Sequence, residues 1–154
     1  MIRWVRQHVR TYLSIANSAR SLIVLAKREI GSIEFQKMPI ICLIWIDQHD
    51  RESVYEFTRH LLSIGAINFL TYGNDAEVLH DYIDDVLIEA GRVDVATTDH
   101  RNSSVDDVVH FFINCTYFES NKCGYLVVME NVDLGRYFET RLMQEFLRTY
   151  PSGA

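Results

Sequence analysis

The chain has 154 residues, 48% of them apolar and 23% charged, with a formal net charge of −6. That length suits one domain with an ordinary core, and the composition excludes a disordered or fibrous chain. The longest dense apolar stretch, "SLIVLA", is far short of the ~18 residues of a membrane-crossing helix.

The charge is unevenly placed. Residues 1–38 carry seven Lys/Arg and two acids, a net of +5, which leaves −11 for residues 39–154. Ile2, Val5, Val9, Tyr12, Leu13 and Ala16 recur at helical spacing. "ARSLIVLAKREIG" continues the pattern to Gly31, a residue suited to a helix C-terminus. The spacing predicts a basic helical extension over 1–37, with Asn17 or Ser18 interrupting or capping it and "SIEFQ" as a short edge strand. Such a segment either docks on the acidic body with its arginines in water, meets a membrane surface, or meets an acidic partner. Nucleic acid is not an expected partner, because the body would repel phosphates.

From residue 38 onward a single α/β domain is predicted, 38–154. "IICLIWI" is too continuously apolar for a half-exposed strand and reads as one covered on both faces. "DRESVYEFTRHLLSIG" is an amphipathic helix with Val54, Phe57, Leu61 and Ile64 inward, ending at Gly65. "AINFLTY" is a second strand. "DAEVLHDYIDDVLIEAG" is a second helix with Val78, Leu79, Tyr82, Ile83, Val86 and Leu87 inward. "RVDVATT", "SSVDDVVHFFINCTYF", "GYLVVME" and "GRYFETRLMQEFLRTY" complete the alternation, Ser103 or Ser104 capping the third helix. Repeated βα units imply a three-layer sandwich: a four-stranded, mainly parallel sheet with right-handed crossovers and helices on both faces.

Cys42, Cys115 and Cys123 are an odd number with no C-x-x-C pair. Cys42 and Cys115 lie in apolar or helical runs and read as small buried hydrophobes. The set points to a reducing, cytoplasmic setting. Trp45 reads as core, and Tyr55, Tyr72, Tyr82, Tyr117 and Tyr137 as partly exposed.

In an open parallel sheet, ligands gather at the carboxyl ends of the strands. Here those ends read "DQHD", "YGND", "TDHR" and "MENVD". Asp47, His49, Asp50, Asp75, Asp99 and Glu130, with His100 and Asp133, therefore form an expected acidic rim. Oxygen-rich clusters bind hard cations such as Mg²⁺. The same residue types also cap the helices that follow. No G-x-G-x-x-G, Walker loop, G-x-S-x-G elbow or H-E-x-x-H is present, so no catalytic residue is nominated and no cofactor is expected.

One stretch, "IICLIWIDQHDRESVYEFTRHLLSIGAINFLTYGNDAEVLHDYI", resembles the opening of response-regulator receiver domains. "GNDAEVLH" is similar to the family's "NGxEAL"-like helix start, and "DVATTDH" has the D-x-x-x-x-D spacing of its phosphoacceptor strand. The resemblance covers Ile40 to about His100. It implies a flavodoxin-like α/β fold with Asp99 as phosphoacceptor and Asp47 and Asp50 near a Mg²⁺ site. The chain departs from the pattern where Gln48 separates Asp47 from His49 and where the fourth strand ends in Met129-Glu130 instead of a small hydroxyl residue. It has no later strand with a Lys-Pro end.

The leading expectation is a non-catalytic protein that binds another macromolecule. Its concrete form is a bacterial immunity-type protein whose acidic face neutralises a basic toxin. The alternative is a receiver-like metal-binding or phosphoacceptor domain using Asp47, Asp50 and Asp99.

Overall fold

The computed structural model describes the backbone of residues 2–4, 11–17, 19–35, 38–47, 50–119, 121–130 and 136–151, and the side chains of these except 2–4, 11–14 and 32–35. The strands are β1 (Ile2–Trp4), β2 (Thr11–Ala16), β3 (Arg20–Ala26), β4 (Ile33–Phe35), β5 (Ile40–Trp45), β6 (Ala66–Thr71), β7 (Ala96–Asp99) and β8 (Cys123–Met129). The α-helices are α1 (Arg51–Ser63), α2 (Ala76–Glu89), α3 (Val105–Asn114) and α4 (Arg136–Thr149), and a 3-10 helix spans Lys27–Ser32.

Six strands form one sheet in the order β2-β3-β8-β5-β6-β7. The five from β3 to β7 run parallel, and β2 pairs with β3 antiparallel at the edge. β1 and β4 make a separate antiparallel pair. The sheet is thus mixed and six-stranded, not the expected four-stranded one, because the N-terminal region supplies two strands of it.

The expected N-terminal helical extension is corrected here. Residues 20–26 are a strand in register with β8 from Arg20↔Cys123 to Ala26↔Met129. Leu22 and Val24 pack on one face of the sheet and Ile23 and Leu25 on the other, all fully buried. A helix would have buried one stripe of this run, whereas a central strand buries every residue of it. Full burial of each such side chain is worth roughly 1.5–3 kcal/mol. Asn17 makes the β2–β3 turn, its Oδ1 accepting from the N–H groups of Ala19 and Arg20 at 3.0 and 2.8 Å. The helical spacing through Val5 and Val9 falls outside the described residues.

Counted from β5, the later strands stand in the order third, second, first, fourth. A flavodoxin-like sheet has the order 2-1-3-4-5, which puts the third strand beside the first. Here β8 holds that place. The receiver resemblance therefore extends to the βα alternation and not to strand order. The connection reverses between β5 and β8, and that is the switch point of the sheet.

Each face has its own core. Ile40, Cys42 and Ile44 of β5 pack with Val54, Phe57 and Leu61 of α1 and Leu79, Ile83 and Leu87 of α2. Ile41 and Leu43 pack with Val108, Phe112, Phe138, Leu142 and Phe146 of α3 and α4. Val78, expected to face inward, is 39% exposed. It lies between Ala76 and Leu79 in sequence but off the stripe that these residues bury.

Local chemistry sets the ends of the helices. Asp50 sits in extended backbone and its Oδ1 accepts from Glu52 N at 3.0 Å, which starts α1. Ser104 does the same for α3 through Asp107 N at 3.1 Å. Gly65 follows α1 with φ +119, and a Cβ there would stand 2.6 Å from Met38 O. Only glycine fits that turn. No helix among the described residues is long and apolar enough to cross a membrane.

Candidate functional site

The carboxyl edge of the parallel strands brings the expected acids to one side of the molecule. Asp47 follows β5, Asp75 precedes α2, Asp99 ends β7 and Glu130 follows β8. Asp47, Asp50, Asp99 and Glu130 are exposed and Asp75 is half-buried. His49 and Asp133 lie outside the described residues.

Across the switch point, the backbone N–H of Asp47 donates to Glu130 Oε2 at 3.0 Å. That bond joins the ends of β5 and β8. Asp50 is spent as the α1 cap. Asp99 Oδ1 accepts from Arg101 N at 2.9 Å, closing the turn after β7. Asp75 occupies the N-cap position of α2, and its side chain makes no capping bond. Asp50 and Asp99 thus hold backbone N–H groups of their own turns, and Glu130 holds one at the end of the neighbouring strand. Asp47, Asp50 and Asp99 carry no ion pair to a described residue.

Several acids on the helices are matched by arginines. Arg51 pairs with Asp85 at 3.3 Å and Arg59 with Glu89 at 3.2 Å, tying α1 to α2. Tyr55 donates to Asp85 at 2.9 Å. Arg101 pairs with Glu77, and Arg141 with Asp106 at 2.7 Å. Among the described residues the helix acids Glu52, Glu56, Asp107 and Glu139 also make no ion pair, so unpaired acids lie both at the strand ends and on the helices.

The three residues of a receiver-like metal site do not converge. Asp47 and Asp99 stand two strands apart with β6 between them, a backbone separation of about 10 Å. Asp50 turns to its own helix. Among the described residues no group of three or more His, Cys, Asp or Glu is arranged to hold a metal ion. His100 is half-buried, its Nε2 2.8 Å from Thr98 Oγ1 and its ring 4.7 Å from Phe111. Burial lowers its pKa against the opposing pull of Asp99.

Behind the rim, Trp45 packs edge-on to Tyr72 at 5.0 Å and Phe138 at 5.2 Å. Gly73 has φ +94, and a Cβ on it would meet Trp45 Nε1 at 2.6 Å. The expected partial exposure holds for Tyr55, Tyr82 and Tyr137, while Tyr72 and Tyr117 are buried.

Sequence reasoning missed a second feature of the same edge. The 3-10 helix follows the carboxyl end of β3, and between it and α1 lies a cleft of about 560 Å³. The sequence pattern makes residues 27–31 the end of a helix and starts a strand at Ser32, so nothing in it places this segment opposite α1.

No curated protein matches the chain. The family model described as "Domain of unknown function (DUF7684)" matches residues 20–147. That match begins at the first residue of β3 and ends inside α4, so it spans the parallel strands and their helices and leaves out β2. The chain belongs to the DUF7684 family.

Proposed function

We propose that this chain is a non-catalytic binding protein that presents its acidic strand-end rim to a basic protein partner. A toxin domain of an immunity pair is the concrete case. The observation that carries the reading is that Asp47, Asp50, Asp99 and Glu130 stand exposed along one edge of the sheet, with Asp50, Asp99 and Glu130 each accepting from a backbone N–H group. The Asp47–Glu130 bond ties the end of β5 to the end of β8 before any partner arrives. Preorganised like charge raises encounter rates with a cationic surface and suppresses wrong partners.

The test is co-purification with a basic toxin domain, followed by association rates at rising salt. Support is an association rate that falls steeply with salt and falls again in Asp47→Asn/Asp99→Asn. Tight binding indifferent to both salt and these substitutions refutes the reading. A Mg²⁺ titration followed by NMR tests the receiver-like alternative in parallel. A site-specific millimolar response confined to Asp47, Asp50 and Asp99 would move the function there.

A further inference from the structure

The cleft between the 3-10 helix and α1 has the makings of a ligand site separate from the rim. Its volume of about 560 Å³ falls within the range of roughly 300–1,000 Å³ typical of small-molecule pockets. Its apolar lining is Ile30 and Phe57, 3% and 7% exposed. Lys27 and Arg28 enter from the 3-10 helix, and Ser53 and Glu56 from α1. Among the described residues the Lys27 side chain has no hydrogen-bond or ion-pair partner, and Arg28 pairs only with Glu29, at 3.5 Å with Arg28 itself largely in water. An apolar wall with a few converging polar groups is the usual composition of such sites.

We propose that this cleft binds a small organic anion, a carboxylate or phosphate monoester carried on an apolar body. The anionic group sits at Lys27 and Arg28, the body lies on Ile30 and Phe57, and Ser53 Oγ donates to the headgroup. Glu56 accepts from any hydroxyl or amine the body carries. Charge supports the sign. Residues 39–154 carry −11, so an anion is repelled over most of the surface and meets Lys27 and Arg28 here, with Glu29 and Glu56 close by. The cleft begins where the chain leaves the carboxyl end of β3 and runs along α1 from Ser53 to His60. The inference uses none of the rim acids, so it stands or falls apart from the proposed partner.

The experiment titrates the full chain, ¹⁵N-labelled, with phenyl phosphate, phenylacetate, benzyl alcohol and inorganic phosphate. Amide shifts confined to residues 27–31 and 53–60 are expected with one or both aromatic anions. The alcohol and the inorganic ion, each lacking half of the chemistry, bind at least about tenfold more weakly. The stronger of the two anions identifies the headgroup. Lys27→Gln/Arg28→Gln weakens binding by about tenfold with an unchanged melting curve, because both side chains reach solvent. Gly31 also lines the cleft, and a Cβ there meets nothing within 4 Å. Gly31→Leu therefore fills the space without strain and abolishes binding in a folded protein. Silence with both anions, equal binding of benzyl alcohol, or full binding by Gly31→Leu overturns the proposal.

Discussion

Asn114 Nδ2 donates to Glu145 Oε1 at 2.7 Å, a bond between two helices packed on the same face of the sheet. Thr149 Oγ1 donates back to Asn114 Oδ1 at 3.1 Å, and Arg148 Nε reaches Glu145 Oε2 at 3.3 Å. The Glu145 side chain is only 9% exposed. The Arg148 guanidinium, and after it the Asn114 amide, hold its carboxyl at a pKa of about 2, against burial that works the other way. The folded pKa lies below the ordinary 4.5, so the stabilisation is complete above that value and drains away as pH falls towards about 2. Glu145→Gln is expected to cost about 1–2 kcal/mol near neutral pH and to flatten the loss in acid. Urea midpoints of the two proteins should converge at the acid end. Parallel curves would mean that Glu145 is not the titrating clasp.

Arg20 begins β3 and is 7% exposed, and it makes no ion pair to a described residue. Its guanidinium donates to the carbonyls of Glu119, at 2.5 Å, and Asn121. It lies 4.8 Å from the Tyr117 ring centre and 5.2 Å from that of Tyr150. Carbonyls and aromatic faces thus replace a counter-ion and lock the segment before β8. Arg20→Ala should cost about 3 kcal/mol. Arg20→Lys should recover less than half of that, because an ammonium offers neither the planar fork nor the stacking surface. Thermal melts of the three proteins check it, and full rescue by lysine would show that charge alone matters.

What the sequence revealed follows the range of the forces involved. Asp50, Ser104, Gly65 and Gly91 act within a few residues of themselves, and helix ends could be read from them. The strand ends carrying Asp47, Asp99 and Glu130 were legible for the same reason. β3 was not. "SLIVLA" suits a buried helix or a buried strand equally by pattern, and the choice is made by pairing with β8 at the far end of the chain. The Asp47–Glu130 bond likewise depends on β5 and β8 being neighbours, a fact of topology. The cleft depends on that topology and on the turn of the 3-10 helix together.

Two glycines separate backbone strain from close approach. Gly73 has φ +94 with a virtual Cβ 2.6 Å from Trp45 Cδ1 and Nε1, whereas Gly91 has φ +65 and open space around it. Gly91→Ala should cost about 1 kcal/mol, the conformational part alone. Gly73→Ala should cost about 2–4 kcal/mol and push the indole from its place against Tyr72 and Phe138. Near-UV circular dichroism would register the second effect and not the first. Equal costs with an unchanged aromatic spectrum would remove the claim that Gly73 seats Trp45.

The three thiols should report on the fold directly. Cys115 was expected in the core, but it caps the end of α3 and is exposed, while Cys42 and Cys123 are buried. Burial pushes the Cys123 thiol up to about 12 and that of Cys42 higher still, and it is the thiolate that reacts. A disulfide reagent should therefore label one thiol quickly in the native protein. The other two should follow at least about a thousandfold more slowly, at the rate of opening. Cys115→Ser should abolish the fast phase and leave stability within about 0.5 kcal/mol. Arg20 pairs in register with Cys123, so Arg20→Ala should speed labelling of Cys123 more than that of Cys42. Equal acceleration of both would mean that Arg20 supports the whole sheet and not the β3–β8 edge in particular.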